Sequence, residues 1–422
     1  MKRIILTILF LNLFSLLIAT ENNLIVEFNN ILKIKDNNKL ISSLNEFVIQ
    51  NRNNIPIIQN DSITFIYIDQ KNEDNIKISL SCSENNFNDN KDFFKRAGKT
   101  NFYYITYKTK NIDNFTYQFI VHKNKGKDKL SYVYRDIFNP NIQYGKRSKS
   151  VIRTFDSTRE TLQIITDIEP ESKNLLKRDI YVYLPPGYWT DKDKRYPVLY
   201  MHDGNNLWDS KDAPWGGWKL DTTTTRLINE GEIEPIIIVG IANTSKRMHE
   251  YIGWSKMYRE DEAKKNGIDP EKMKALTDSY ENFIIKQIKP FIDSKYRTLT
   301  GRDDTGMGGS SAGAMISLYM GFKYPDYFSK IIALSGGFEP YIDLRENHFN
   351  KNANLKIYLD CGTKDMDGDM KVETINLYEF LKKNGYREND NLLLVIDEGA
   401  SHNEKEWAKR ANLYLKFMFG KR

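Results

Sequence analysis

The sequence predicts an α/β protein with a doubly wound, mostly parallel sheet, preceded by a small all-β sandwich. From residue 151 onward, segments typical of strands alternate with segments typical of helices, which indicates a parallel sheet covered by helices. The apolar run from Pro235 to Val239 is typical of a strand that is buried on both faces. Before Pro140, short β-branched and aromatic segments are separated by polar turn residues, which favours antiparallel sheets.

Export is predicted from the first 20 residues. Lys2 and Arg3 precede an apolar run from Ile4 to Ala19, and a cleavage site fits after Ala19 or Thr20. Residues 1–20 are therefore assigned to a signal peptide, and the mature protein is expected in the periplasm or outside the cell. An uncleaved membrane anchor is the alternative. No later segment reaches about 18 apolar residues, so no stable membrane insertion is expected after cleavage.

Three regions follow this signal peptide. Residues 21–51 are predicted to be helical, because apolar residues recur at helical spacing from Leu40 to Val48. Residues 52–145 are predicted to form the sandwich, followed by a basic linker from Lys146 to Ser150. Residues 151–422 are predicted to form the α/β domain. All six tryptophans lie in that last region, which supports the boundary.

Individual elements follow from the same patterns. The sandwich strands are predicted at Ile63 to Ile68, Ile76 to Leu80, Phe102 to Tyr107 and Phe115 to Val121. The strands of the α/β domain are predicted at Arg178 to Leu184, Tyr196 to Met201, Ile236 to Ile241, the run into Ser310, Ile331 to Leu334, Leu355 to Leu359 and Leu392 to Ile396. Its helices are predicted near Lys219 to Asn229, Leu276 to Tyr296, Ala312 to Lys323, Val372 to Lys383 and Glu404 to Phe419.

Charge and cysteine content exclude some classes of function. The formal net charge is +6 in 422 residues and no basic block accompanies it, so nucleic acid is not expected as a partner. Cys82 and Cys361 are the only cysteines and fall in different predicted domains, so no disulfide is expected. No metal or organic cofactor is implied, and the oligomeric state is left open.

The segment Gly309-Ser310-Ser311-Ala312-Gly313 is the centre of the predicted site. It matches G-x-S-x-G and lies between a predicted strand and a predicted helix, which is the setting of a nucleophile elbow. Alone the pattern is weak, since roughly 0.1 chance matches are expected in a chain of this size and composition. A turn of small residues is the alternative, and Ser310 is a rival to Ser311. We favour Ser311 because glycine stands at both flanking positions of the motif.

An acid and a histidine follow in the order typical of this elbow. Asp365 comes after the strand ending at Leu359, and His402 comes after the strand ending at Ile396. The carboxyl ends of parallel strands meet at one edge of a sheet, so Ser311, Asp365 and His402 are expected to lie together. Imidazole, with an ordinary pKa of roughly 6.5, can take the serine proton and return it to a leaving alcohol. The carboxylate would orient the imidazole, and the alternatives to Asp365 are Asp360, Asp367 and Asp369.

An oxyanion hole is predicted from two backbone amides. One is that of Ala312, directly after the nucleophile. The other is expected in the loop after the strand Tyr196 to Met201, where Gly204 lets the backbone approach the substrate closely. The backbone amide of Asn205 is predicted to be this second donor. A plain turn without this role is the alternative.

These motifs resemble the Putative esterase family of α/β-hydrolases. The resemblance is carried by Tyr183-Leu184-Pro185-Pro186-Gly187-Tyr188, by Tyr196-Pro197-Val198-Leu199-Tyr200-Met201-His202-Asp203-Gly204-Asn205-Asn206, by Gly309 to Gly313 and by His402, over about residues 150–420. The family includes siderophore esterases of the enterochelin type, feruloyl and acetyl-xylan esterases, and S-formylglutathione hydrolases. This chain departs from its pattern at Ala312, usually Met, and at Ala314, usually Gly.

The resemblance implies a serine esterase of the α/β-hydrolase fold without a cofactor. The first domain resembles, more weakly, the immunoglobulin-like domain that precedes the hydrolase in enterochelin esterases and some polysaccharide esterases. The segment from Ile241 to Tyr251 resembles the siderophore-esterase branch, in which an arginine of this loop lies at the substrate pocket. Here that arginine is Arg247.

Five residues are predicted to bind substrate. They are Arg247, Trp208, Trp215, Trp218 and Trp254, all in loops expected at the edge of the sheet that carries the triad. A guanidinium beside aromatic faces suits a flat anionic or phenolic acyl group. A siderophore-type trilactone catecholate ester is therefore the predicted substrate, with feruloyl or acetyl esters of polysaccharides as the alternative. The remaining alternatives are a polysaccharide-binding protein without activity, and for Arg247 a surface ion pair with Glu250 or Glu260.

Overall fold

A computed structural model describes residues 24–421 except 74, 126–127, 146–147, 154–158 and 210–216. The predicted signal peptide, residues 1–20, and Trp215 lie outside the described residues. Two compact units divide the chain, one up to residue 154 and one from residue 155 onward, with residues 144–146 belonging to the second. Within the described part of the chain, no helix is both long enough and apolar enough to cross a bilayer.

The first unit is a sandwich of antiparallel sheets with a helix packed on it. Helix α1 spans Asn37–Gln50, and short 3-10 turns lie at Arg52–Asn54 and Ser83–Asn85. Its strands are β1 (Ile57–Gln59), β2 (Ser62–Ile68), β3 (Ile76–Cys82), β4 (Lys95–Arg96), β5 (Phe102–Lys108), β6 (Thr116–Lys125), β7 (Asp128–Tyr134), β8 (Ile142–Gln143) and β9 (Lys149–Val151). One sheet has the order β1-β2-β5-β4, and the other has the order β3-β6-β9-β8 with β7 paired to β6.

Aromatic residues from both sheets fill the space between them. Phe65 of β2 contacts Tyr117 and Phe119 of β6, with ring centroids 4.6 and 6.1 Å apart. Leu44 and Phe47 of α1 are buried in a second cluster against the outer side of the first sheet. The helix that the sequence predicted within residues 21–51 therefore packs as part of this unit. The immunoglobulin-like relationship of the sandwich stays a prediction.

The second unit is built on an eight-stranded sheet with the order β10-β11-β13-β12-β14-β15-β16-β17. These strands are β10 (Thr161–Ile168), β11 (Arg178–Leu184), β12 (Val198–His202), β13 (Ile237–Ile241), β14 (Thr305–Ser310), β15 (Lys330–Leu334), β16 (Lys356–Gly362) and β17 (Leu392–Asp397). From β13 to β17 all neighbours are parallel, as the sequence predicts. The pairs β10–β11 and β11–β13 are antiparallel, so the sheet is mixed, and β10 has no counterpart among the predicted strands.

Helices cover both faces of this sheet. They are α2 (Leu220–Asn229), α3 (Arg247–Ile252), α4 (Lys256–Asn266), α5 (Pro270–Asn282), α6 (Lys289–Lys295), α7 (Ala312–Lys323), α8 (Phe338–Asp343), α9 (Met366–Lys383) and α10 (Glu404–Phe419), with π-helical turns at Phe283–Ile288 and Leu344–His348 and a 3-10 turn at Arg302–Asp304. Ile357 and Leu359 share a core cluster with Ile316 of α7. Tyr358 points the other way and contacts Tyr414 of α10, with ring centroids 5.7 Å apart.

Candidate active site

Ser311 occupies a sharp turn between β14 and α7. Its φ is 56° and its ψ is −126°, a strained conformation for a residue with a side chain. A Cβ atom on Gly309 would lie 2.8 Å from the carbonyl carbon of Gly313, so the helix can follow the strand this closely only because glycine stands there. Ser310 is the last residue of β14 and is 3% exposed, whereas Ser311 is half-buried. The geometry is that of a nucleophile elbow with Ser311 at its tip.

The carboxylate that contacts His402 is Asp367. His402 Nδ1 lies 2.6 Å from Asp367 Oδ1. The prediction that Asp365 holds the histidine is therefore wrong. Helix α9 begins at Met366 and not near Val372, which places Asp367 in the first turn with its side chain buried against the end of β16. Asp365 stands just before the helix, is exposed and has a φ of 53°.

Asp367 is held on its second oxygen as well. Asp367 Oδ2 accepts hydrogen bonds from the backbone N–H of Gly362 at 2.7 Å and from Ser335 Oγ at 2.8 Å. Burial works to raise the pKa of Asp367, but the hydrogen bonds from His402, Ser335 and Gly362 outweigh it and hold the pKa below its ordinary value. An ionised carboxylate fixes the proton of the imidazole on Nδ1 and leaves Nε2 free to accept another.

A cavity of about 650 Å³ opens onto these groups. It is lined by Asp203, Asn206, Trp218, Arg247, Ser310, Ser311, Asp365, Met366, Ser401, His402, Asn403, Glu404 and Trp407. The rings of Trp218 and Trp407 are 5.5 Å apart, and the Trp407 ring also meets that of His402 edge to face at 5.1 Å. Ser311 and His402 therefore share a concave site with two indole rings, which is an arrangement suited to acyl transfer.

Comparisons with known proteins identify the family of this chain. The model of the family described as Putative esterase matches residues 176–410, which is more than half of the 422 residues. The chain belongs to this family. It is a carboxylic ester hydrolase, and the prediction of an esterase from the sequence motifs is confirmed at that level.

Individual relatives of this esterase match different fractions of its chain. The uncharacterized protein YbbA of Bacillus subtilis is 25% identical over 252 residues, which are 58% of this chain and 93% of that protein. The endo-1,4-beta-xylanase/feruloyl esterase of Xylanibacter ruminicola is 27% identical over 236 residues, 54% of this chain but only 27% of that protein. Among solved structures, the enterobactin esterase of Shigella flexneri is 14% identical with a TM-score of 0.44, over 85% of this chain and 93% of that chain.

Of the predicted substrate residues of the esterase, Trp218 and Arg247 line the cavity. Trp208 does not, because it is fully buried beside Tyr181 and Gly240. The prediction that Trp254 binds substrate is also wrong, since Trp254 is 4% exposed and stacks on Tyr319 with ring centroids 4.6 Å apart. Trp407 was missed as a lining residue. Its position five residues after His402, in the first turns of α10, is the signal that would have found it.

Arg247 is paired within the cavity and not on the surface. Arg247 Nε lies 2.7 Å from Asp203 Oδ1 and Nη2 lies 2.8 Å from Asp203 Oδ2, a bidentate pair, and the guanidinium covers the ring of Tyr251. Burial works to lower the pKa of Arg247, but Asp203 outweighs it and raises the pKa. The predicted alternative, a pair with Glu250 or Glu260, is wrong. Glu250 instead binds Arg178 in the interior.

The two predicted oxyanion donors belong to the start of α7 and to the loop after β12. Ala312 is the first residue of α7, where backbone N–H groups have no acceptor within the helix. The loop that carries Asn205 approaches β13 closely, since a Cβ atom on Gly204 would lie 2.3 Å from Gly240. Asn205 Oδ1 accepts the backbone N–H of Asn243 at 3.2 Å, and the next residue, Asn206, lines the cavity. The assignment of Asn205 as second donor stays a prediction.

Among the residues that the structure describes, no group of three or more His, Cys, Asp or Glu side chains is arranged to hold a metal ion. Among the described residues that line the cavity, the charged groups are three carboxylates, those of Asp203, Asp365 and Glu404, and one guanidinium, that of Arg247. Burial, with the nearby Asp203 carboxylate, raises the pKa of Glu404. Since Asp203 neutralises Arg247, the remaining charge of these described groups is negative.

Proposed function

We propose that this esterase hydrolyses esters of flat phenolic acids through Ser311 as nucleophile, His402 as general base and acid, and Asp367 as orienting carboxylate. The observation that carries the proposal is the 2.6 Å contact between Asp367 and His402, which lines the same cavity as the strained Ser311. Both Ser311 and His402 line the cavity, and because Asp367 occupies Nδ1 of the imidazole, Nε2 is the nitrogen left to act as the base.

The chemistry follows from these positions. His402 Nε2 takes the proton of Ser311 while the serine oxygen attacks the ester carbonyl carbon, and it then gives that proton to the departing alcohol. Water attacks the acyl-enzyme in the same way, which releases the acid and restores the serine. Asp367 stabilises the imidazolium that forms in each half of the reaction.

Negative charge develops on the carbonyl oxygen during both steps. The Ala312 backbone N–H, at the positive end of the α7 dipole, is well suited to stabilise this charge by a hydrogen bond, with Asn205 as the second donor. Removal of one such donor typically costs about 10²- to 10³-fold in kcat.

An aromatic acyl group is favoured by the walls of the cavity. Trp218 and Trp407 offer ring surface next to His402, and Met366 adds a polarisable side chain that is 50% exposed. Arg247 uses Nε and Nη2 for Asp203, and Nη1 has the weak acceptor Met248 Sδ at 3.6 Å, which a hydroxyl or methoxy oxygen of the acyl ring can replace. An acetyl group would use none of these contacts.

Charge separates the two predicted substrate classes. A trilactone catecholate carries several negative charges when it binds iron, whereas a feruloyl ester is nearly neutral. The excess of carboxylates among the described residues of the cavity therefore favours the feruloyl type, on esters of polysaccharides or oligosaccharides. The siderophore-type substrate remains the second candidate because Arg247 lies in the cavity, as it does in that branch. A panel of feruloyl sugars, a trilactone catecholate with and without iron, acetyl sugars and short acyl thioesters tests this order.

Arg247→Ala is expected to lower kcat/KM for feruloyl or catecholate esters at least about tenfold more than for p-nitrophenyl acetate. The reason is that a lost hydrogen bond from a charged donor weakens binding by about 1.5–3 kcal/mol, and the acetyl ester never made that bond. Steady-state kinetics on both esters with one enzyme preparation measure the difference.

The control for this variant removes the partner charge. Arg247→Ala alone leaves the buried Asp203 carboxylate unpaired, which destabilises the fold. The double variant Arg247→Ala with Asp203→Asn lacks that charge and should show the same selective loss. Equal losses on the two esters, in both variants, would assign Arg247 to the fold and remove the aromatic acyl group from the proposal.

The pH dependence of kcat/KM should show one acid limb. A protonated imidazole cannot accept the serine proton, so activity falls as the pH drops through the range in which histidine side chains titrate, between about pH 5 and 8. Asp367 stays ionised through that range, because its hydrogen bonds hold its pKa below the ordinary value. A logarithmic slope of about one is expected. A flat profile over this range, or a slope of about two, would contradict a single histidine base.

Export is part of the proposal and is supported by the basic start and apolar run of the first 20 residues. A polysaccharide ester is met outside the cytoplasm, so the predicted location and the favoured substrate agree. Sequencing the amino terminus of the protein recovered outside the cytoplasm would show whether cleavage occurs after Ala19 or Thr20.

A further inference from the structure

Ser335 lies directly behind the carboxylate that holds His402. It follows β15, the strand beside the one that leads to Ser311, and it is fully buried with a φ of 48°. Its backbone N–H donates to the Asp360 carbonyl at 2.9 Å, which fixes the turn. A polar side chain in such a position must find its partners inside the protein.

The partners of the Ser335 hydroxyl determine where its hydrogen points. Trp407 Nε1 donates to Ser335 Oγ at 2.9 Å, and Arg410 Nη2 lies 3.5 Å from the same oxygen. Indole and guanidinium nitrogens can only donate, so both contacts use lone pairs of the hydroxyl. A serine hydroxyl has one hydrogen, and Asp367 Oδ2, at 2.8 Å, is the remaining partner. The hydrogen bond therefore runs from Ser335 to Asp367.

We infer that Ser335 is a positioning residue for catalysis, which fixes the Asp367 carboxylate so that its other oxygen holds His402 in the reactive orientation and tautomer. The inference rests on the proposed function, in which His402 is the base. Ser335 does not touch the substrate. Its role is carried through Asp367, and Trp407 and Arg410 keep its hydroxyl from turning away.

The donors behind Ser335 are themselves held in place. Arg410 is buried and bidentate to Asp360, with Nε and Nη2 at 2.8 and 3.2 Å, and Nη1 reaches Asp397 at 2.9 Å. Trp407 packs its ring against Trp218 and against His402. A hydroxyl between two anchored donors has one orientation, which is the property that a positioning contact needs.

The experiment is a graded series at this position, Ser335→Cys and Ser335→Ala, assayed on p-nitrophenyl acetate. Ser335→Ala should lower kcat roughly ten- to hundredfold with KM changed less than about twofold, since it removes a hydrogen bond to a charged group that acts after binding. Ser335→Cys keeps a weak donor and should fall between wild type and Ser335→Ala. The far-downfield proton resonance of His402 Nδ1–H should shift or broaden in the same order.

The matched control is Ser329→Ala. Ser329 directly precedes β15, as Ser335 directly follows it, and its substitution removes a buried hydroxyl at the opposite end of this strand. It should leave kcat and the His402 resonance unchanged. Wild-type kcat and an unchanged resonance in folded Ser335→Ala would overturn the inference, as would an equal loss in Ser329→Ala.

Failure of the proposed function gives a different result. If the wild-type protein hydrolysed no ester of the panel, the proposed ester hydrolysis would be wrong. The His402 resonance would still report whether Ser335 positions Asp367. If Ser335→Ala failed to fold, the comparison of Ser335→Cys with wild type would carry the test. An intermediate kcat and a shifted resonance support the inference, and wild-type values for both overturn it.

Discussion

Ser311→Ala is expected to lower kcat for ester hydrolysis by at least about 10⁴-fold, because it removes the oxygen that forms the acyl-enzyme. The oxyanion donors and the substrate pocket remain, so the residual rate should reflect those alone. The φ of 56° at Ser311 is no obstacle, since alanine has the same Cβ atom as serine and meets the same strain. Initial rates on p-nitrophenyl acetate, with a melting curve to show an intact fold, measure the effect.

Ser310→Ala is the matched control for the nucleophile. Ser310 differs from Ser311 by one position, ends strand β14 and is almost completely buried. Its substitution should lower kcat by less than about tenfold, an effect on packing and not on chemistry. Labelling with a fluorophosphonate probe gives an independent readout, because the probe should modify Ser310→Ala and not Ser311→Ala. The reverse pattern would assign the nucleophile to Ser310.

Sequence alone predicted the elements that local patterns determine. The elbow was found because only small residues allow a strand to turn into a helix so sharply, and β14, which is rich in glycine, was placed by the elbow motif that follows it. Strands such as β13 were found because both of their faces are apolar. His402 was found because it follows the last of these strands. Each prediction needs only the order of residues along the chain.

The errors have a common physical cause, which is that they depend on side-chain direction. The start of α9 decides whether Asp365 or Asp367 faces the strand, and Gly368 weakens the helical pattern at that point. Trp208 and Trp254 were expected in the pocket because their segments are loops, yet both rings turn inward. The antiparallel strand β10 and the partner of Arg247 depend on contacts between segments distant in the chain.

Since Asp367 and not Asp365 contacts His402, the second large effect is expected at Asp367. Asp367→Asn is expected to lower kcat about 10³- to 10⁴-fold. The asparagine oxygen should take the position of Oδ2, because Ser335 and Gly362 both donate there. Its NH₂ group would then face His402 Nδ1 and force the imidazole proton onto Nε2. An imidazole protonated at Nε2 cannot accept the proton of Ser311.

Asp365→Asn is the matched control, two residues away, with the same change of carboxylate to amide. Asp365 is exposed at the cavity mouth, so its substitution should change kcat by less than about tenfold. The two variants also differ in their pH profiles. Asp367→Asn should lose activity at every pH because the wrong tautomer persists, whereas Asp365→Asn should keep the acid limb of the wild type. If Asp365→Asn lost activity severely while Asp367→Asn stayed active, Asp365 and not Asp367 would be the carboxylate that orients His402 during the reaction.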